Sequence, residues 1–310
     1  MHPITVDNLS KSYGGQMAVN AVSLSVDAGE TFALLGPNGA GKTTIIEILE
    51  GYRKRDSGTV SILGFDPQTA ERAFRERIGI VLQSTALEPD LTVRETIDVY
   101  TRFYPRPLAR DDLLSLVGLA DNAQKRVSAL SGGQQRRLEI ALGLVGDPDL
   151  IFLDEPTTGL DPDARRNIWN LILELNQFGK TILLSSHYMD EVEALAHRIA
   201  VLVDGQIVAE GTSHSLREIH GGYTEIRFHV GNDDLPSSFP APLRQITFIE
   251  RGWAVLEARN PTPVLADLTK WAFSQQFDLA HLSVTQPSLE EIYLTLTRGR
   301  RSERDGRGAK

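Results

Sequence analysis

Cysteine is absent from the chain, and its absence excludes both a disulfide framework and catalysis by a thiolate. Long apolar runs are absent too: Phe32–Leu35 and Leu150–Leu153 are only of strand length, whereas a membrane-spanning helix needs ~20 residues. The first residues, Met1–Pro3, lack the basic and apolar regions of a signal peptide. We therefore predict a cytoplasmic protein that meets a membrane only through a partner.

Basic charge is also in deficit. The 310 residues include 32 Lys and Arg against 41 Asp and Glu, a formal net charge of −9, which argues against nucleic acid as the main partner. With 41% hydrophobic and 24% charged residues, the composition is that of a globular protein rather than a disordered one. The length predicts about two domains.

The pattern of apolar residues changes along the first part of the chain, from a period of two to short apolar strands separated by helices. Residues 1–28 alternate with period two, which predicts antiparallel strands with one wet face. From Thr31–Leu35 onwards, short apolar strands such as Thr181–Leu184 are separated by helical patterns, so we expect a mostly parallel sheet covered by helices. Between two later strands, Asp204-Gly205 predicts a tight hairpin.

A boundary is predicted near residues 211–222, after which the pattern starts again. Strands at about 223–230, 246–250, 253–257 and 279–285, with a helix at about 263–274, predict a small α+β domain over 222–298. The remaining residues, 299–310, are predicted to be a basic, disordered tail. Contact of that tail with an anionic membrane surface is the alternative.

The first chemical motif is Gly36–Thr43, which matches the phosphate-loop pattern G-x-x-x-x-G-K-[ST] between a strand and a helix. Glycines bring backbone N–H groups close to phosphate oxygens, and the helix N-terminus attracts the same anion. Lys42 can reach the β- and γ-phosphates, and the Thr43 hydroxyl can ligate Mg²⁺. The predicted ATP-binding residues of this loop are Gly36, Pro37, Asn38, Gly39, Ala40, Gly41, Lys42, Thr43 and Thr44.

The second motif is the acidic pair Asp154-Glu155 at the end of an apolar strand. Ligands of open α/β sheets bind beyond the carboxyl ends of strands, and adjacent side chains there point in different directions. One carboxylate can therefore serve Mg²⁺ while the other activates water. We assign Asp154 to the metal and Glu155 to the attacking water as general base.

The third motif is Leu130–Gln135, with sequence LSGGQQ, before a helical run. Ser131 is a plausible N-cap of that helix. Two adjacent glycines cost helix stability, and a second anion-binding helix N-terminus is one reason to keep them. A flexible loop leading into a helix is the alternative that the residues leave open.

With these motifs in order, residues 1 to about 215 resemble the ATP-binding cassette (ABC) family. Leu130–Gln134 resembles its LSGGQ signature, in the expected place between the other two motifs. The resemblance implies that Tyr13 stacks on adenine, that Gln83 senses Mg²⁺ and the membrane partner, that Asp161 lies in the D-loop at the dimer interface, and that His187 is the switch histidine near the γ-phosphate.

The family resemblance implies a fold and an assembly. The fold class is α/β, a P-loop NTPase with a mostly parallel core sheet, an antiparallel β subdomain and a helical subdomain at about 84–143, together forming a cassette over 1–218. Two cassettes pack head to tail, so that each ATP lies between one phosphate loop and the signature of the other chain. That signature consists of Ser131, Gly132, Gly133 and Gln134. Since each motif occurs once here, we expect a homodimer.

The resemblance also implies a membrane partner. Gln83–Glu95 looks like the region that docks on a separately encoded permease. The run Leu138–Leu144 and the ending Pro287–Leu294 look like those of daunorubicin-resistance ATPases, in the ABC-2 group that exports drugs, lipids, polysaccharides or ions. We expect such a motor to lie at the cytoplasmic face of the membrane, held there through its permease.

Two other functions remain as alternatives. One is a soluble cassette ATPase acting on DNA or ribosomes. Ser131 follows Lys42 by 89 positions, and the residues between them contain no sustained heptad run. The chain also has only one set of motifs, and both features count against that class. The other alternative is the motor of an importer.

Overall fold

The computed structural model describes residues 2–69, 72–82, 86–220, 222–230, 246–250, 252–294 and 296. Two predicted features therefore lie outside the described residues: Gln83 and the basic tail at 299–310. The chain divides into two compact units, Met1–Thr212 and Ser213–Lys310.

The first unit begins with an antiparallel sheet of strands in the order β2-β1-β4. Its strands are β1 (Ile4–Tyr13), β2 (Gln16–Val26) and β4 (Ser57–Ile62). Burial alternates along the start of β1, where Ile4 and Val6 are buried and Thr5 is exposed. The expected antiparallel pairing and the single wet face are confirmed.

A six-stranded sheet forms the centre of this unit, in the order β5-β6-β7-β3-β8-β9, with only the last strand antiparallel. The strands are β3 (Thr31–Leu35), β5 (Ile78–Val81), β6 (Leu150–Asp154), β7 (Thr181–Ser186), β8 (Arg198–Val203) and β9 (Gln206–Gly211). Every residue of β3, β6 and β7 is buried, as expected for strands covered on both faces. The predicted hairpin joins β8 to β9, and Asp204 (φ 49°) and Gly205 (φ 75°) have the left-handed backbone that such a turn needs.

Helices follow the strands in the alternation that the sequence predicts. Those of the first unit are α1 (Lys42–Leu49), α2 (Arg72–Arg75), α3 (Val93–Thr101), α4 (Arg110–Leu116), α5 (Gly132–Leu144), α6 (Pro162–Gln177) and α7 (Met189–Leu195). Short 3-10 turns lie at Ala120–Asn122 and Val127–Ala129. Helix α3 begins with a capping box of Thr92 and Glu95, which satisfies N–H groups that would otherwise be unpaired.

The second unit is an α+β structure around one antiparallel sheet, in the order β11-β12-β10-β13. Its elements are α8 (Ser213–His220), β10 (Thr224–His229), β11 (Ile246–Glu250), β12 (Trp253–Ala258), α9 (Pro261–Gln275) and β13 (Ala280–Thr285). Ile226 and Phe228 from the sheet, with Leu268 and Trp271 from α9, form its core. Helical residues follow from Leu289.

Candidate active site

The phosphate loop lies between β3 and α1, and its glycines are sterically required. A Cβ on Gly36 would lie 2.5 Å from the carbonyl oxygen of Leu202. Gly41 has φ of 105°, and a Cβ there would lie 2.4 Å from the carbonyl oxygen of Ala18. No other residue fits these two positions without moving backbone, so the tight loop at the N-terminus of α1 depends on them.

Lys42 begins α1 and is 4% exposed. Its ammonium donates hydrogen bonds to the carbonyl oxygens of Gly36 (2.8 Å) and Pro37 (3.2 Å) and lies 3.5 Å from Glu155 Oε1. Burial lowers the pKa of Lys42, while the charges of Glu155 and Asp154 raise it. The chain itself therefore compensates this buried cation and holds it over the loop.

Glu155 follows β6 with φ of 47°, a left-handed backbone that costs a non-glycine residue on the order of 1–3 kcal/mol. Its N–H donates to the Ser185 carbonyl oxygen (3.2 Å) on the neighbouring strand. Oε1 lies 3.2 Å from His187 Nδ1, and Oε2 accepts a hydrogen bond from the Thr158 hydroxyl (3.1 Å). The structure thus brings together Glu155, His187 and Lys42, three residues that the sequence predicted from separate motifs.

Asp154 is the last residue of β6 and is 4% exposed. It accepts a short hydrogen bond from the Ser185 hydroxyl on β7. Ser185 is a site neighbour that sequence reasoning missed, although it stands at a strand end beside Ser186-His187, where polar residues interrupt an apolar run.

The signature motif starts α5 as a capping box. The Ser131 hydroxyl accepts a hydrogen bond from the N–H of Gln134, and the Gln134 side chain accepts one from the N–H of Ser131. The N-cap prediction is confirmed. The two glycines differ: a Cβ on Gly133 would lie 2.9 Å from Ala164 Cβ on α6, whereas the nearest described atom to a Cβ on Gly132 would be 4.0 Å away, on Leu160. Packing within the chain explains Gly133 but not Gly132.

Arg136 is a second residue that sequence reasoning missed. It is 6% exposed and donates to the carbonyl oxygens of Pro156 and Leu82, each at 2.7 Å, and to Glu139 at 2.6 Å. It thereby connects the signature helix to the segment after Glu155 and to the strand that leads towards residue 83. The sequence offered little signal, because Arg136 stands between Gln135 and Arg137 in a polar part of the helix.

A buried carboxyl on α7 links the switch region to the segment after the acidic pair. Glu191 is fully buried, and its Oε1 accepts hydrogen bonds from the Thr157 hydroxyl (2.6 Å) and the Trp169 indole N–H (3.2 Å). Burial raises the pKa of Glu191, against hydrogen bonds that lower it. The sequence offered no spacing that would pair these residues.

Two further predicted residues occupy clear positions. Tyr13 ends β1, is 41% exposed, and has the Lys11 ammonium and the Arg53 guanidinium 5.5 and 5.2 Å from its ring centre. Asp161 is the N-cap of α6 and accepts a hydrogen bond from the Ala164 N–H (2.8 Å). Their roles towards adenine and a second chain remain predictions.

The donor set suits Mg²⁺ held jointly with phosphate. Within the part of the chain that the structure describes, no three His, Asp or Glu side chains form a cluster that could hold a metal. Thr43 is exposed at the start of α1 and Asp154 lies at the end of β6. Mg²⁺ is typically bound by one or two such oxygen ligands together with substrate phosphates, so these residues fit it.

This fold and site define a P-loop ATPase that binds ATP. The ABC transporter family matches residues 19–158, and the chain belongs to the ATP-binding proteins of that family. It is 40% identical over 299 residues to the Nod factor export ATP-binding protein I of Paraburkholderia xenovorans, covering 95% of this chain and 96% of the relative. It is 39% identical to the protein of the same name in Rhizobium johnstonii, covering 98% of each.

Solved structures agree with the cassette fold of the first unit. An ATP-binding cassette of an ABC transporter in its ADP conformation is similar with a TM-score of 0.62 and 28% identity, over 69% of this chain and 92% of that one. A dimeric cassette with ADP and Pi has a TM-score of 0.60 and 28% identity, over 67% and 98%. The predicted family and fold class are confirmed. Over the described ranges, no helix has the length and apolar character needed to cross a bilayer.

Proposed function

We propose that the chain is the ATP-hydrolysing motor of an exporter, acting as a homodimer on a separately encoded permease. The main support for this proposal is that Lys42 and His187 both lie close to Glu155 Oε1 at the phosphate loop. Export is supported by relatives named for export that match nearly the whole chain, including its second unit. This breadth disfavours a soluble cassette ATPase and an importer.

The site residues divide the chemistry of phosphoryl transfer. Lys42 binds the β- and γ-phosphate oxygens, and the backbone of residues 36–41 surrounds them. Glu155 takes a proton from the attacking water, and its contact with His187 orients it towards the γ-phosphate. Mg²⁺, held by Thr43, Asp154 and Gln83, would neutralise phosphate charge.

A head-to-tail homodimer completes two sites. Ser131 and Gly132 are exposed and Gly133 is partly buried at the start of α5, a helix N-terminus suited to the γ-phosphate bound by a partner chain. Tyr13 stacks on the adenine. The lack of an internal packing reason for Gly132 supports close approach by a ligand at that point. ATP favours the closed dimer because both chains bind it, and hydrolysis removes this preference. The dimeric relative with ADP and Pi supports the assembly.

The permease is of the ABC-2 type in this proposal and docks near Gln83–Glu95, which holds the motor at the cytoplasmic face of the membrane. Among the exported molecules open to this group, Nod factor is the first to test, because relatives carry that name.

The test is a capture from detergent-solubilised membranes with tagged Glu155→Gln chain and ATP, with untagged chain as control. We expect a polytopic membrane protein in stoichiometric amount, and ATP-dependent transport after both wild-type subunits are reconstituted together in vesicles. Recovery of ribosomes or nucleic acid without a membrane subunit would overturn the exporter proposal in favour of a soluble cassette ATPase.

A further inference from the structure

Nδ1 of His187 lies close to Glu155 but forms no hydrogen bond among the described residues. It is 3.2 Å from Glu155 Oε1, and it is a buried nitrogen. The side chain as a whole is still 28% exposed. Since the torsion that turns an imidazole about its bond to Cβ is broad, the orientation of this ring depends on the groups that pack against it.

The ring of Tyr188 packs against this imidazole. The two ring centroids are 4.1 Å apart, with an angle of 39° between the planes, which is van der Waals contact. The backbone N–H of Tyr188 donates to the Ser186 hydroxyl at 2.9 Å, so a local hydrogen bond spans His187 and fixes the turn that carries both rings. Tyr188 therefore limits the directions in which the imidazole can turn.

Arg165 lies in the first turn of α6 and contacts the same tyrosine ring. Its guanidinium carbon is 4.5 Å from the ring centre of Tyr188, within the range of cation–π attraction. Its Nη1 also lies 3.4 Å from Asp190 Oδ2. The guanidinium is thus held at two points, and it connects the start of α6 to the residue next to His187.

The backbone around these side chains is anchored separately. Glu191 of α7 is fully buried and accepts hydrogen bonds from Thr157 and Trp169. Tyr188 and Arg165 are only partly buried. Substitutions of these two side chains therefore change the ring contacts while the buried hydrogen bonds of α7 remain.

We propose that Tyr188 is a positioning residue for His187, and that Arg165 holds the Tyr188 ring in place. Both act through the orientation of the imidazole beside Glu155 rather than by touching the nucleotide. The inference rests on the proposed function, because His187 acts in ATP hydrolysis only there. A ring contact of this kind corresponds to about three- to tenfold in rate.

The first test compares Tyr188→Ala with Tyr188→Phe in steady-state ATP hydrolysis by the full chain. We expect Tyr188→Ala to lower kcat about three- to tenfold. The KM for ATP should change little, because Lys42 and the phosphate loop are intact. Tyr188→Phe retains the ring and should hydrolyse ATP at nearly the parent rate, and thermal midpoints verify folding. An equal loss in both variants, or a parent kcat in Tyr188→Ala, would overturn the ring contact.

Arg165 and Arg166 form a matched pair at adjacent positions of α6, and Arg166 is exposed. We expect Arg165→Ala to lower kcat about two- to fivefold, the rate equivalent of a cation–π contact, and Arg166→Ala to leave it unchanged. Asp190→Asn removes the ion pair but keeps the ring contact, and should cost less than Arg165→Ala. Equal losses from Arg165→Ala and Arg166→Ala would remove Arg165 from the proposal.

A double-mutant cycle distinguishes positioning from a general structural effect. If Tyr188 acts only through His187, its removal costs nothing once the imidazole is gone. In the His187→Ala chain, Tyr188→Ala should therefore lower the residual hydrolysis of radiolabelled ATP by less than about twofold. A structural effect would repeat the full loss in this background and would contradict positioning.

Nuclear magnetic resonance measures the ring contact without turnover. The imidazole C–H signals of His187, assigned by their loss in His187→Ala, should be displaced by the ring current of Tyr188. This displacement should persist in Tyr188→Phe and disappear in Tyr188→Ala, while the signals of His2 stay unchanged as a control. Identical His187 signals in the two variants would overturn the contact.

The outcomes separate the inference from the function on which it rests. If His187→Ala hydrolyses ATP at the parent rate, the role proposed for His187 fails, and the positioning role of Tyr188 fails with it. If His187→Ala is slow while Tyr188→Ala is as fast as the parent, only the positioning role fails, and the motor function stands.

Discussion

Each end of α1 has a buried ionisable side chain, and the two ends differ in the charges that surround it. At the N-terminal end, Lys42 finds two carbonyl oxygens and Glu155 within its own chain. At the C-terminal end, Glu50 finds a second and a third carboxylate, which raise its pKa further. The difference shows that the chain compensates the buried cation of Lys42 with its own oxygens, whereas the neighbours of Glu50 that shift its pKa make its charged form less favourable.

The largest effect on turnover is expected at the N-terminal end of α1, where Glu155 lies beside Lys42, from the substitution Glu155→Gln. The amide keeps the volume of the carboxylate but cannot accept the proton of the attacking water, so turnover should fall by roughly 10²–10⁴-fold. ATP binding should persist, and the closed dimer should accumulate. Phosphate release and size-exclusion chromatography with ATP measure these results. Rapid turnover by this variant would remove Glu155 as the general base.

A slightly smaller loss is expected from Ser131→Arg, which acts on the site only in the dimer. A bulky cation at the start of α5 should occupy the space of the partner's γ-phosphate, so turnover should fall about a hundredfold or more, comparable to the loss of an oxyanion-binding donor. ATP binding to the single chain should be unchanged. Ser128→Arg, at another exposed position before α5, is the matched control. Equal turnover in the two variants would contradict a shared site.

Lys42→Ala should weaken ATP binding by about 10- to 100-fold, because a charge-assisted phosphate contact is worth roughly 1.5–3 kcal/mol. It also leaves the Glu155 carboxylate without its buried cation. Titration with a fluorescent ATP analogue measures the affinity, and Lys54→Ala, an exposed lysine, is the control. Normal affinity in Lys42→Ala would argue against the phosphate-loop assignment.

The smallest effect is expected at the C-terminal end of α1, from Glu50→Gln. It is the only substitution expected to increase stability. The pKa of Glu50 is about 8 in the folded chain against 4.5 ordinarily, so the folded state binds the extra proton between these values. Parent stability therefore decreases as pH rises through this window, while Glu50→Gln escapes the loss. Urea unfolding at pH 6 and pH 8.5 should show the variant's advantage growing by about 2 kcal/mol.

Glu47→Gln is the control for that measurement, because it removes a neighbouring carboxylate that is hydrogen-bonded to Arg53. Its free energy of unfolding should follow the pH course of the parent more closely. If Glu50→Gln instead loses stability at pH 8.5, Glu50 has a stabilising partner within the chain and the comparison between the helix ends is wrong.

Local patterns predicted much of the fold because they act over a few residues. The buried strands, the Asp204-Gly205 hairpin and the Ser131 cap each depend on neighbouring residues, and the structure confirms them. The left-handed backbone of Glu155 was not predictable, because strain of this kind is maintained by contacts with another strand.

The amino-acid sequence by itself determined the class of this protein: the loop around Lys42, the acidic pair and the signature require only short-range order, and together they carry the resemblance to the ABC family. The tertiary structure alone decided which side chains share a site. It placed His187 beside Glu155 and let Arg136 join the signature helix to residues 82 and 156. It also buried Glu50 Oε1 with no hydrogen-bond partner among the described residues. These facts depend on how strands and helices distant in sequence pack, and packing also decides whether a buried charge is compensated.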